Sequence, residues 1–394
     1  MPERDAAALQ AALAAHRDAG LERVQRSLEP LDAVTARDED GRCLVVFCSN
    51  DYLGLSQHPE VVAAFQRTAG SAGVGSGAAA LVSGRRHEHA ALEAELAEWL
   101  GRDRALLFPS GYMANLGITA AFAGRGDRVL EDRRNHASLL DGGLLSGARL
   151  ERYHHADMAD LERRLGQGSA RLVASDAVFS MDGDVPPLPA LAETAAGHGA
   201  WLLVDDAHGL GVFGPGGRGA VAAAGLDQDQ VPLLVGTLGK AFGTAGAFVA
   251  GPEDVVAWLV QKARTAIYTT AQPPAVAAAS RASLALIRDR PELQERLHAR
   301  IRRFRAGAAD AGLAVGASDS AIQPVVLGAA EPAVAASDAL LQQGYLVSAI
   351  RPPTVPQGTA RLRVTLSAAH SEAQVDGLVA ALADAVPASS LAHQ

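Results

Sequence analysis

The chain has 394 residues, enough for two or three domain-sized units and a large core. Its 48% hydrophobic and 20% charged residues fit a globular enzyme and argue against a disordered or fibrous chain. A formal net charge of −9, with no block of like charges and no basic stripe, excludes the electrostatic footprint of a nucleic-acid binder.

In chain order, residues 5–28 are alanine-rich with charges at helical spacing and predict an N-terminal helix. The scattered charges of that stretch are unlike a secretory signal, and nowhere does an uncharged apolar run reach the length of a bilayer. A cytoplasmic protein without membrane partners is expected. The run "LVVFCSN" reads as a short strand. Its Cys48 and the nearby Cys43 are too few for a disulfide scaffold and lack a second metal half-site, so buried free thiols are expected.

From about residue 60 to 280, short apolar runs alternate with helical stretches: "RALLF" before "YMANLGITAAFAG", "DRVL" before "HASLLDGGLLSG", "RLVAS" before "LPALAETAAGHG", then "WLLV" and "PLLVG". This pattern predicts an α/β fold with a mostly parallel sheet covered on both faces. Residues from about 275 to 310 read as a long charged helix. The runs "AIQPVVLG", "GYLVSAI" and "ARLRVTLSAAHS" that follow predict a smaller α+β unit. The expected division is a helix and arm over 1–48, a large α/β domain over 49–285 and a small C-terminal domain over 286–394.

In an open parallel sheet, ligands sit beyond the carboxyl ends of the strands. Those ends carry Gly111 and Tyr112 at a helix start, Asn135 and His136, Asp176 and Ser180, Asp205, Asp206 and His208, then Thr237 and Lys240. Only two of the 35 Lys+Arg residues are lysine, Lys240 and Lys262, and Lys240 stands alone in the apolar, glycine-rich "VGTLGKAFGTAGAFVAG". Desolvation disfavours an ammonium, so a sheltered lysine becomes a Schiff-base nucleophile, a task guanidinium cannot take over. A carboxylate at a strand end suits the pyridine nitrogen of pyridoxal phosphate, and a helix start with hydroxyl donors suits its phosphate. Simpler readings stand beside this one: Asp205 and Asp206 as strand-to-helix caps, His208 as an ordinary loop histidine, or the three as metal ligands without a further Cys/His cluster. A nucleotide phosphate loop is excluded, because two residues instead of four separate Gly236 from Gly239 and Ala241 follows Lys240.

The motifs "SNDYLGL", "FPSGYMAN", "NHASLLDG", "VFSMDGD", "VDDAHGLGVFG" and "TLGKAFG", in this order, resemble the α-oxoamine synthases. These are pyridoxal 5'-phosphate enzymes of fold type I that join an amino acid to an acyl thioester with loss of carbon dioxide. The resemblance runs from about residue 20 to 385. It implies that Lys240 holds the cofactor covalently, Asp205 pairs with its ring nitrogen, His208 bonds its ring oxygen and His136 stacks on its face. Gly111, Tyr112, Asp176, Ser180 and Thr237 would contact the cofactor or its phosphate, with Thr269 or Thr270 reaching it across a homodimer interface. Arg23, Asn50, His136, Arg351 and Thr354 match substrate-side positions. The stretches "SAIQPVVLG" and "AIRPPTVPQGTARLRVTLSAAH" direct the resemblance toward L-alanine and a pimeloyl thioester, carried by coenzyme A or an acyl carrier protein. Another amino acid and thioester within the family, or a non-catalytic relative, are the alternatives. No metal is implied. Asp176 departs from the family's usual Glu, and the loop "GSGAAALVSG" has fewer glycines than its relatives.

Overall fold

The computed structural model describes residues 5–386, which form two compact units. The larger comprises Asn50–His298 with Ser318–Ala321, and the smaller gathers the described parts of Met1–Ser49, Ala299–Ala317 and Ile322–Gln394.

The larger unit is built on seven strands: β1 (Arg104–Phe108), β2 (Arg128–Asp132), β3 (Arg149–Tyr153), β4 (Leu172–Asp176), β5 (Trp201–Asp205), β6 (Leu233–Thr237) and β7 (Ala247–Gly251). Their order across the sheet is β1-β7-β6-β5-β4-β2-β3. All neighbours are parallel except β7, which runs against both β1 and β6. The mostly parallel α/β sheet expected from the sequence is therefore present. Side chains alternate between two cores, as the pleat requires. Leu172, Ala174, Leu203, Leu233 and Val235 face one core; Val173, Leu202, Val204 and Leu234 face the other. Burial on both faces explains why these strands read as continuous apolar runs. Helix α1 (Gly111–Phe122) links β1 to β2, and α2 (Ala137–Leu145) links β2 to β3.

In the smaller unit, strands β8 (Ile322–Gly328), β9 (Ser348–Ile350) and β10 (Ala360–Thr365) form an antiparallel sheet ordered β8-β10-β9. A second sheet joins Leu28–Pro30, Thr35–Asp38 and Cys43–Val46 to Tyr345–Leu346.

Three local readings need correction. The N-terminal helix spans Ala6–Asp18 and not 5–28, because the chain folds back there: Gly20 N–H bonds Arg17 O at 2.8 Å and Leu21 N–H bonds His16 O at 2.9 Å. The long charged helix is two, Pro274–Asp289 and Pro291–Asp310, since Pro291 lacks the N–H to continue the first. Cys43 is exposed and Cys48 half-buried; both are free thiols, but the strand turns Cys43 outward. Among the described residues, no helix is long and apolar enough to cross a membrane.

Candidate active site

The carboxyl ends of β4, β5 and β6 and the starts of α1 and α2 surround a cavity of about 170 Å³. Eight residues predicted from the sequence line it together: Gly111, Tyr112, His136, Asp176, Asp205, His208, Thr237 and Lys240.

Lys240 stands on a tight turn after β6. Leu238 N–H donates to Gly246 O at 2.9 Å, and Gly243 N–H closes back on Lys240 O at 2.8 Å. Gly243 has φ +66°, and a Cβ there would lie 2.3 Å from the Ser56 nitrogen, so only glycine lets the turn pack. The Lys240 side chain is half-buried. Its Nζ lies 2.9 Å from His208 Nε2, and His208 Nδ1 lies 2.7 Å from the hydroxyl of the fully buried Tyr52. Tyr52 donates in turn to Asn50 Oδ1 at 3.1 Å.

Asp205 ends β5 with both oxygens engaged: Oδ1 accepts from Ala207 N–H at 3.0 Å and Oδ2 from Asn115 Nδ2 at 2.7 Å. Its neighbour Asp206 serves a different purpose. Asp206 Oδ2 accepts from Val221 N–H at 3.1 Å, and burial pushes its carboxyl up to about 8. Asp206 does not line the cavity, so Asp205, Asp206 and His208 do not converge on a metal. Among the described residues, no group of three or more His, Cys, Asp or Glu is arranged to hold a metal ion.

His136 caps α2. Its backbone N–H donates to Asp176 Oδ2 at 2.6 Å, and its ring Nδ1 accepts from Ser138 N–H at 3.3 Å. Burial pushes this imidazole below its ordinary range, opposed by the Asp205 charge. Burial, and then Asp205 itself, pushes the Asp176 carboxyl well above the usual carboxylate range. At the start of α1, Ser110 caps the helix by accepting from Met113 N–H at 3.3 Å. The first turn leaves backbone N–H groups at Gly111 and Tyr112 without helical partners. The Tyr112 hydroxyl donates to Asp141, and the Thr237 hydroxyl to Gly246 O at 3.1 Å.

The remaining predicted residues lie elsewhere. Ser180 is half-buried on the loop after β4. Thr269 and Thr270 line a separate cavity of about 280 Å³, and Thr270 bridges to Ala79. In the smaller unit, Arg23 and Arg351 share a cavity of about 480 Å³, and Arg351 donates to the Glu22 carbonyl. The Thr354 N–H bonds Arg351 O at 3.1 Å. Asn115 and Tyr52 were not singled out from the sequence. A polar residue on the buried face of "YMANLGITAAF" was the available signal for Asn115.

The donor set fits pyridoxal 5'-phosphate: an amine for its aldehyde, a carboxylate braced on both oxygens for its ring nitrogen, an imidazole for its face, and open backbone N–H groups at a helix start for an anion.

Comparison with known proteins agrees. Residues 43–382 match the family described as aminotransferase class I and II. The 8-amino-7-oxononanoate synthase of Methylococcus capsulatus is 62% identical over 88% of this chain and 90% of its own, and that of Alkalilimnicola ehrlichii 59% over 94% and 95%. Among solved structures, serine palmitoyltransferase from Sphingomonas wittichii superposes with TM-score 0.92 at 33% identity, covering 97% of this chain and 98% of its own. The 8-amino-7-oxononanoate synthase of Francisella tularensis does so with TM-score 0.76 at 31% identity, covering 86% and 97%. With its lysine, acid and two histidines in one cavity on this sheet, the chain belongs to the class I and II aminotransferase family, in its pyridoxal 5'-phosphate-dependent α-oxoamine synthase branch.

Proposed function

We propose that this chain condenses L-alanine with a pimeloyl thioester, releasing carbon dioxide and the free thiol carrier and giving 8-amino-7-oxononanoate, a cytoplasmic step of biotin synthesis. The observation that carries the reading is the single cavity where Lys240, Asp205, His136 and His208 meet, in a chain 62% identical to a curated enzyme of that name. When bound, pyridoxal 5'-phosphate supplies an electron sink for the amino acid's α-carbon.

The protein's own residues do the rest. Lys240 Nζ holds the cofactor, takes the proton from alanine Cα and returns a proton to the product carbon; the contact with His208 Nε2 steadies that amine. Asp205 offers its carboxylate to the ring nitrogen, and His136 covers the ring and orients the substrate. Gly111, Tyr112, Ser180 and Thr237 hold the phosphate end, with Asp176 bracing His136. Arg351 pairs with a substrate carboxylate, and Arg23, Asn50 and Thr354 complete the substrate side. In a homodimer, Thr269 or Thr270 reaches the phosphate bound by the second copy.

Mass spectrometry of reactions with L-alanine and either pimeloyl-coenzyme A or pimeloyl-acyl carrier protein tests this. One of the two donors should yield 8-amino-7-oxononanoate. Product only from glycine with an acetyl thioester, or only from serine with a palmitoyl thioester, would overturn the substrate assignment.

A further inference from the structure

Behind the cavity, four side chains form an unbroken hydrogen-bonded chain. Asn115 is fully buried on α1. Its Nδ2 lies 2.7 Å from Asp205 Oδ2 and 2.8 Å from Ser138 Oγ, and Ser138 Oγ lies 2.8 Å from His136 Nδ1. α1 and α2 approach closely enough for this because α2 carries Gly142, where a Cβ would fall 3.0 Å from Thr119 Oγ1 and 3.1 Å from Asn115 O.

Counting protons fixes every direction. A flipped Asn115 would set its carbonyl against a carboxylate oxygen, so both Nδ2 protons point outward, one to Asp205 and one to Ser138. The Ser138 backbone N–H donates to His136 Nδ1 at 3.3 Å, so that nitrogen presents its lone pair and carries no proton. Ser138 Oγ, which accepts from Asn115, therefore gives its single proton to Nδ1. The ring's one proton then sits on Nε2, the ring nitrogen left to the cavity.

We propose that Asn115 and Ser138 are positioning residues of this reaction, holding His136 as the neutral Nε2–H tautomer and bracing the Asp205 carboxylate through one shared amide. The proposal rests on the placement of His136 and Asp205 at the cofactor. The charged and titratable groups around His136 are Asp205 and Lys240 in the cavity, Asp141 one turn along its own helix α2, Asp176 at its backbone and Tyr112 edge-on to its ring. His136 therefore acts as a hydrogen-bond donor through Nε2 and has no second proton to lose.

Solid-state 15N spectra of holoenzyme labelled in its histidine rings read the tautomer, with His136 identified by signals missing in His136→Gln. Near neutral pH, Nδ1 should be unprotonated and Nε2 protonated. Ser138→Ala should give a tautomer mixture and move the acid limb of kcat/KM to higher pH, while Ser138→Thr, which keeps the hydroxyl, should restore both. Asn115→Leu should lower kcat about tenfold or more with the KM for the amino acid little changed. Wild-type His136 protonated on Nδ1, or ring signals unchanged in Ser138→Ala, would overturn the proposal. The spectra need no substrate, so an error in the substrate assignment would show only in the product assay.

Discussion

Lys240 is one of two lysines in the chain, and the two predict opposite outcomes. Lys240→Arg keeps the charge but cannot bond the cofactor's aldehyde or take the α-proton. Visible absorbance of the covalently held cofactor should vanish and kcat fall about a thousandfold or more. Lys262 lies exposed at the end of the helix Glu253–Lys262 with its amine 5.1 Å from the Trp258 ring centroid, so Lys262→Arg should change kcat by less than about twofold. Comparable losses in both variants would unseat Lys240. Asp205→Asn should still bind cofactor, because its oxygen can accept from Ala207 N–H, yet lose the charge facing the ring nitrogen; kcat should drop about a hundredfold or more. Turnover close to wild type would place the ring's partner elsewhere. Lys240 was legible because an ammonium in an apolar stretch conflicts with its surroundings. Asn115 was not, since one amide in a buried helix reads the same whether it braces Asp205 or merely satisfies a neighbour.

At the scale of elements, the loop between β4 and the following helix carries Ser180 and is tied down by His155. The His155 Nδ1 lies 3.0 Å from Asp132 Oδ1 at the end of β2, and Nε2 lies 2.7 Å from Asp184 Oδ2 on that loop. Its ring stands edge-on to Phe179 at 4.4 Å between centroids. Burial opposes the charge on His155, but the two carboxylates outweigh it and raise the ring to about 9. A folded value above the unfolded one, about 6.5, means the charged ring stabilises fully below that pH and loses the effect as pH rises through 9. His155→Gln should therefore destabilise by about 2 kcal/mol near pH 6 and much less above pH 9, measured by urea unfolding. A pH-independent difference would mean the contact is packing alone. Within the seven-stranded sheet, β1, β2, β4, β5 and β6 were legible as apolar runs set between helical stretches. The edge strand β3 was hidden by its charges, and β7, although buried at every position, by an "AFVAG" that continues a glycine-rich run. The break at Pro291 was written in the sequence but outweighed by the charge periodicity on either side of it.

For the whole molecule, the weight falls on whether one chain makes a complete site. Thr269 and Thr270 lie away from the Lys240 cavity, beside a surface where Leu81, Val82 and Tyr268 are 59%, 79% and 71% exposed. The two segments are joined there by Ala271 N–H bonding Ala78 O at 3.0 Å. Apolar side chains this exposed, next to the two threonines proposed to reach the phosphate, fit a twofold interface that would lend each site a hydroxyl from the other copy. Val82→Glu with Tyr268→Glu should turn a dimer into a monomer in sedimentation equilibrium, and activity should fall with it. Mixing gives a sharper outcome. Lys240→Ala and the double variant Thr269→Ala, Thr270→Ala are each impaired alone. If the threonines serve the other copy, a mixed dimer contains one intact site: the lysine from the second chain and the threonines from the first. Half of randomly reassociated dimers are mixed, so unfolding and refolding the two together should restore about a quarter of wild-type activity. Threonines acting within their own chain would leave one lesion in every site of the mixture, and no activity above that of the threonine variant would return.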